Sequence, residues 1–358
     1  MTKDDRCDRL PARAAGSAGH SLLKAGIPPR GAEGRGLTRR RFCGLAAQAA
    51  AGVALQGCLA EMPTDEGFAA TAILRSADYG ADLPAVIEQG LALVPPPPAA
   101  GKRVVLKVNL VDLPREGRPV VTHPAVVAAV AESFRRRGAS EVIVADGPAL
   151  QRDAHEIADA CGLTTVLREH RLPFVDLNLD DLVRLSNGGG ATGFEWIFVA
   201  ATAARADLLV SLPKLKTHHW AGASVAMKNL FGITPASVYG WPRNRFHIHG
   251  MHEAVFDFNR TRPADYCVVD GIVAMEGDGP VRGTARALGV LVFGDNAAAV
   301  DATCARVMGL RPERIAYLRM AAGTVGPVGE ASIEQRGESI ASVSAPFAVV
   351  QHLEQIRG

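Results

Sequence analysis

The chain has 358 residues, 48% of them hydrophobic and 21% charged, with 39 Lys/Arg against 37 Asp/Glu. That length and apolar share suit one large or two small domains with a real core and exclude a disordered chain. Residues 1–57 hold ten Lys/Arg against four Asp/Glu, a surplus of +6, so the chain's total of +2 leaves about −4 for the remainder, and no nucleic-acid partner is expected.

In chain order, the first feature is Thr38-Arg-Arg-Arg-Phe42, which has the form of a twin-arginine export signal and leads into a mildly apolar stretch from Cys43 to Gly57. A bilayer span takes about 20 apolar residues. The stretch is shorter, so residues 1–57 read as a cleaved twin-arginine signal segment. It ends Leu55-Gln-Gly-Cys58, which resembles a lipoprotein cleavage site with Cys58 as the lipidated first mature residue, although Gln56 is larger than the residue usual there. Plain cleavage nearby is the alternative. The 37 residues before Thr38, rich in Arg, Gly and Pro, read either as a long n-region or as sequence upstream of the true start. The expectations are transport by the twin-arginine machinery, a periplasmic location or one at the outer face of the cytoplasmic membrane, and membrane attachment through a lipid anchor only.

Residues 58–69 read as a linker and residues 70–358 as an α/β domain. Pro95 to Pro98 is a stiff connector, and residues 103–108 an apolar strand. Residues 124–134 form a helical pattern that ends on Arg135-Arg-Arg-Gly138, with basic residues and then glycine where a helix C-terminus wants them. Strands are expected at 141–145, 173–177, 207–212, 266–270 and 287–293, and helices at 153–161, 223–231 and twice beyond Asn296. Strand followed by helix, repeated, predicts a mostly parallel sheet with helices on both faces. Ligands of such sheets sit at the carboxyl ends of the strands, where Lys107, Asn109, Asp146, Lys214, Lys216 and Asp270 fall. Ser186-Asn-Gly-Gly-Gly-Ala-Thr-Gly193 has the spacing of no nucleotide-binding loop and reads as a hairpin or surface loop.

After residue 57 the cysteines are Cys58, Cys161, Cys267 and Cys304, with no C-x-x-C pair, so no iron-sulfur cluster is expected. Cys267 and Cys304, in apolar surroundings, read as buried free thiols.

The densest chemistry lies in Ser211-Leu-Pro-Lys-Leu-Lys-Thr-His-His-Trp220 and in Val225-Ala-Met-Lys-Asn-Leu-Phe231. A lysine and an asparagine inside an apolar run are costly to bury unless something pairs with them. Together with Lys107-Val-Asn109, Lys228-Asn-Leu-Phe-Gly232, His249, Asp270-Gly-Ile-Val-Ala-Met-Glu-Gly-Asp-Gly-Pro280, Asp295 and Val300-Asp301, these segments resemble the ordered motifs of the domain of unknown function 362 (DUF362) family. The resemblance implies no assigned reaction. Some members carry an added ferredoxin-like domain, whose cysteines are not found in this sequence.

From the side chains themselves, Lys107, Asn109, Lys214, Lys216 and Asn229 are expected to bind a small anionic ligand, with Lys228, His218 and His249 as the groups that move protons. His247-Ile-His249 on an extended segment, with His252 and His218-His219, leaves a nitrogen-ligated metal open, and a structural role for these histidines is the third option. Asp270, Glu276 and Asp301 offer oxygen ligands for a divalent metal or charge partners for the lysines. The lysine and carboxylate groups are expected to line one cleft. Two functions fit: an acid/base or metal-assisted enzyme acting on a small anion, or a non-catalytic lipoprotein that binds a metal, a cofactor or a solute.

Overall fold

A computed structural model describes residues 67–358 apart from 81, 150, 151, 242 and 243. The twin-arginine segment and Cys58 lie outside the described residues. The strands are β1 Ala69–Arg75, β2 Arg103–Lys107, β3 Glu141–Asp146, β4 Phe174–Asp176, β5 Leu182–Ser186, β6 Trp196–Ala200, β7 Leu208–Ser211, β8 Lys214–His218, β9 Gly222–Ser224, β10 Tyr266–Glu276, β11 Thr284–Gly294 and β12 Ile333–Gly337.

Ten of these strands form one mixed, mostly parallel sheet in the order β12-β1-β11-β10-β7-β2-β3-β4, with β8 pairing with β10 and with β9. The block β4-β3-β2-β7-β10 is parallel throughout. The antiparallel members β11 and β1 extend it on the other side, and β12 runs parallel to β1. Successive side chains of a strand point to opposite faces. Val104 and Leu106 accordingly join a core with the helices Leu83–Leu93 and Pro124–Arg136, whereas Val105 joins the opposite core with the helices Met251–Thr261 and Ala297–Val307. Helices thus cover both faces, as the alternation of patterns predicts. Cys267 and Cys304 are buried free thiols in the second of these cores.

Local signals explain several boundaries. His123 caps the helix Pro124–Arg136 through Nδ1, which accepts from the Ala125 N–H, and the helix closes on Arg135, Arg136 and a left-handed Gly138. The glycine-rich stretch after β5 is the turn of the β5–β6 hairpin, wrapped around Asp257, whose carboxylate accepts from the N–H groups of Ala191 and Thr192 and from the Thr192 hydroxyl. Two expectations need correction. The segment holding Lys228 is one short helical turn, Ala226–Asn229, followed by a 3-10 turn, Leu230–Ile233, and not a helix through 223–231. The segment of His247 and His249 is helical, Asn244–His249, and not extended. No helix among the described residues is long and apolar enough to cross a membrane.

Candidate functional site

A cavity of about 780 Å³ opens beyond the carboxyl ends of β2 and β3, lined from those ends by Lys107, Asn109 and Asp146. The β8–β9 turn adds His218, His219 and Trp220, and the following turns add Lys228, Asn229 and Gly232. Its position fits the rule for parallel sheets, because strand ends release loops whose backbone groups no longer serve the ladder.

The floor is a buried ion pair. Lys107, 1% exposed, places Nζ 2.5 Å from Asp146 Oδ1 and donates to Val108 O at 2.7 Å and Asn229 Oδ1 at 3.2 Å. Asn229 closes the network by donating to Lys107 O at 2.8 Å and Ser211 Oγ at 3.1 Å. Asp146 also accepts from the N–H groups of Leu110 and Gly147. Burial of either charge is tolerable because each faces several opposed dipoles as well as its partner.

His218 and His219 are neighbours held in opposite senses. Nδ1 of His218 accepts from Trp220 N at 3.0 Å and Ala221 N at 3.1 Å, so the ring caps the turn that follows it. Two donors at Nδ1 leave the proton of the neutral ring on Nε2. Burial, with Lys228 next in weight, pushes this imidazole well below the ordinary histidine range, so it is neutral at pH 7. Nδ1 of His219 faces acceptors instead, Gly279 O at 2.7 Å and Asp278 Oδ1 at 3.3 Å, and its backbone N–H donates to the same Gly279 carbonyl. In its neutral form His219 therefore carries a lone pair on Nε2. The ring centroids are 4.9 Å apart. Gly279 permits the arrangement, since a Cβ there would stand 2.0 Å from Thr217 O.

Lys228 is half-buried, with Nζ 3.7 Å above the Phe231 ring centroid. Asp301 positions the helical turn that carries it. Its Oδ1 accepts from Ala226 N at 2.7 Å and Met227 N at 3.2 Å, while the Tyr317 hydroxyl donates to Oδ2 at 2.9 Å.

Other residues singled out in the sequence lie elsewhere. Lys214 meets Asp270 directly, Nζ to Oδ2 at 2.7 Å, and both also bond the Tyr79 hydroxyl, away from the cavity lining. The expected cleft shared by lysine and carboxylate groups is therefore reduced to this one contact. Lys216 is fully buried and donates to Asn109 Oδ1, Val120 O and Pro280 O, all neutral acceptors; burial pushes its amine well below the ordinary lysine value. Glu276 sits at the surface end of β10 with Arg286 at 3.7 Å, and Asp301 is committed to its helical turn, so Asp270, Glu276 and Asp301 do not gather. Among the described residues no group of three or more His, Cys, Asp or Glu could hold a metal. His249 is exposed and packs on Phe194, while His247 lines the cavity. Residues two apart on a helix point about 200° apart, which separates this pair.

Sequence reasoning placed Asp146 at a strand end and His219 among possible nitrogen ligands of a metal, but gave neither a hydrogen-bonding role, and it gave Gly232 no role of its own. A signal existed for Asp146, a carboxylate closing an apolar strand before Gly147-Pro148, but its partner Lys107 is remote in sequence.

Fold and cavity together define a mixed α/β protein with a ligand-sized, histidine- and lysine-lined cavity at the carboxyl edge of its parallel strands. The chain belongs to the DUF362 family, described as a domain of unknown function, whose profile matches residues 104–306. It is 31% identical over 225 residues to the thylakoid-associated protein sll1697 of Synechocystis sp., a match covering 60% of this chain and 65% of that protein. This chain thus spans less than two thirds of that relative's length. The lactate racemase apoprotein of Thermoanaerobacterium thermosaccharolyticum is similar at TM-score 0.39 and 15% identity, over 69% of this chain and 59% of that one. A Thermotoga maritima protein is similar at TM-score 0.35 and 16% identity, over 57% and 52%. Neither likeness carries an argument about the chemistry of the cavity.

Proposed function

We propose that the protein binds a small anionic ligand in the cavity at the ends of β2 and β3, with Lys228 supplying the charge and His218 a neutral hydrogen bond. The observation that supports this reading is the gathering of Lys228, His218, His219 and His247 on the lining of one cavity. Burial first and Lys228 next hold the His218 imidazole well below the ordinary histidine range, so the ring meets a ligand as a neutral donor beside the Lys228 ammonium. Of the three carboxylates on the lining, Asp146 is committed to Lys107 and Asp112 to Arg152 at 3.0 Å, while Asp278 accepts from His219 Nδ1 at 3.3 Å and faces solvent, where its charge is screened.

Calorimetric titration with inorganic phosphate, sulfate and small carboxylates tests the reading. At least one should bind, and Lys228→Met should weaken that binding tenfold or more while stability changes by no more than about 1.5 kcal/mol. Binding by the variant at wild-type affinity would return Lys228 to a structural role.

A second reading, an acid/base enzyme on the same anion, draws on the tautomers: His219, not His218, has a ring nitrogen able to take a proton from a bound molecule. As to place, the motif Thr38 to Phe42 and the ending at Cys58 support export by the twin-arginine route with a lipid anchor.

A further inference from the structure

Two imidazoles stand side by side in one cavity wall and offer opposite groups to a ligand. His218 has Nδ1 saturated by two backbone N–H groups and offers N–H at Nε2. His219 has Nδ1 directed at Gly279 O and Asp278 Oδ1 and, as a neutral ring, offers a lone pair at Nε2. Among the described residues neither Nε2 has a hydrogen-bond partner, and both rings line the cavity. The assignment of protons follows from the partners of Nδ1 alone.

We propose that this donor–acceptor pair selects an anion that carries its own proton, namely hydrogen phosphate, over aprotic anions of the same charge. The inference rests on the anion-binding reading above and deepens it. A tetrahedral oxyanion places oxygens on adjacent corners: one accepts from His218 Nε2–H, and the neighbouring P–OH donates to His219 Nε2. Lys228, on the same wall, balances the charge. Sulfate has the same shape and charge but no O–H. Its oxygen would face the His219 lone pair, an unmade hydrogen bond set against a repulsive contact. Methyl phosphate, fully ionised in mild alkali, has the same defect.

The experiment is calorimetric titration of the mature protein at pH 8, where hydrogen phosphate and methyl phosphate are dianions like sulfate, with inorganic phosphate, sulfate and methyl phosphate in turn. Phosphate should bind about tenfold or more tightly than either of the others, the scale of one hydrogen bond made against one left unmade. In His219→Phe that preference should collapse to about one as phosphate affinity falls, and sulfate binding at or above its wild-type affinity shows that the cavity is intact. Equal binding of all three anions would leave the anion site standing and overturn the selection. A preference that survives in His219→Phe would overturn it as well, and failure of every anion to bind would sink the anion reading itself.

Discussion

The Lys107 ammonium lies 2.5 Å from Asp146 Oδ1, at the carboxyl ends of two hydrogen-bonded parallel strands, with both side chains almost wholly buried. Neutralising one partner strands the other charge away from water. Lys107→Met and Asp146→Asn should each cost about 3 to 5 kcal/mol, and the double variant Lys107→Met/Asp146→Asn less than the sum, measured by urea unfolding. Additive losses would mean that the two groups are stabilised separately by their backbone partners.

Gly232 closes the lid of that pair. A Cβ there would stand 2.3 Å from Asp146 Oδ1 and 2.7 Å from Lys107 Nζ. Gly232→Ala should destabilise the fold by about 1 to 3 kcal/mol, as overpacking does, and weaken anion binding by tilting Lys107. An alanine variant as stable as the parent would show that the pair swings aside freely.

How far the sequence goes is visible in these residues. Apolar runs of strand length placed Lys107 and Asp146 correctly at the carboxyl ends of their strands, because alternation and punctuation are local properties, whereas Lys214 opens β8 and Asp270 lies inside β10, which runs on to Glu276. Partners are not local: Asp270 meets Tyr79 and the His123 backbone, 191 and 147 residues away in sequence. Lys214 and Lys216, two apart on β8, suggest one shared face, yet a register shift in the pairing of β8 with β10 accompanies separate partners for them. The direction of each imidazole was equally hidden, since the donors at His218 Nδ1 belong to a turn that the sequence does not draw.

Asp301 makes a prediction about pH. Burial pushes its carboxyl up to about 7 from 3.8, against the opposing hydrogen bonds of Tyr317, Met227 and Ala226. A raised folded value means that the group's contribution is fully present below about pH 4 and is lost as pH rises through about 7. In Asp301→Asn the side-chain oxygen still accepts from Ala226 and Met227 while Nδ2 donates to a rotated Tyr317 hydroxyl. The variant should therefore gain on the wild type by up to about 1.4 kcal/mol per pH unit across that window. A stability difference that is flat with pH would show the carboxyl ionised throughout.

Export is tested by location. Arg39→Lys/Arg40→Lys should leave the precursor in the cytoplasm, and Cys58→Ala should release the mature protein from the membrane fraction into the soluble one. Release of the Cys58 variant no greater than that of the parent would remove the lipid anchor and leave the export route untouched.

Lys216, on β8, ties two other segments to its own strand, through Asn109 and Val120 in the connection after β2 and Pro280 after β10. Because all three acceptors are uncharged and the amine itself is fully buried, dissolved salt has little to screen there, unlike at the exposed contact of Arg136 with Glu88. The amine works as a mechanical rivet, keeping one rim of the cavity at a fixed gauge across a wide range of ionic strength. Asn109 stands between rivet and cavity, so a guest pressing on that amide pushes against three anchored strands of backbone at once.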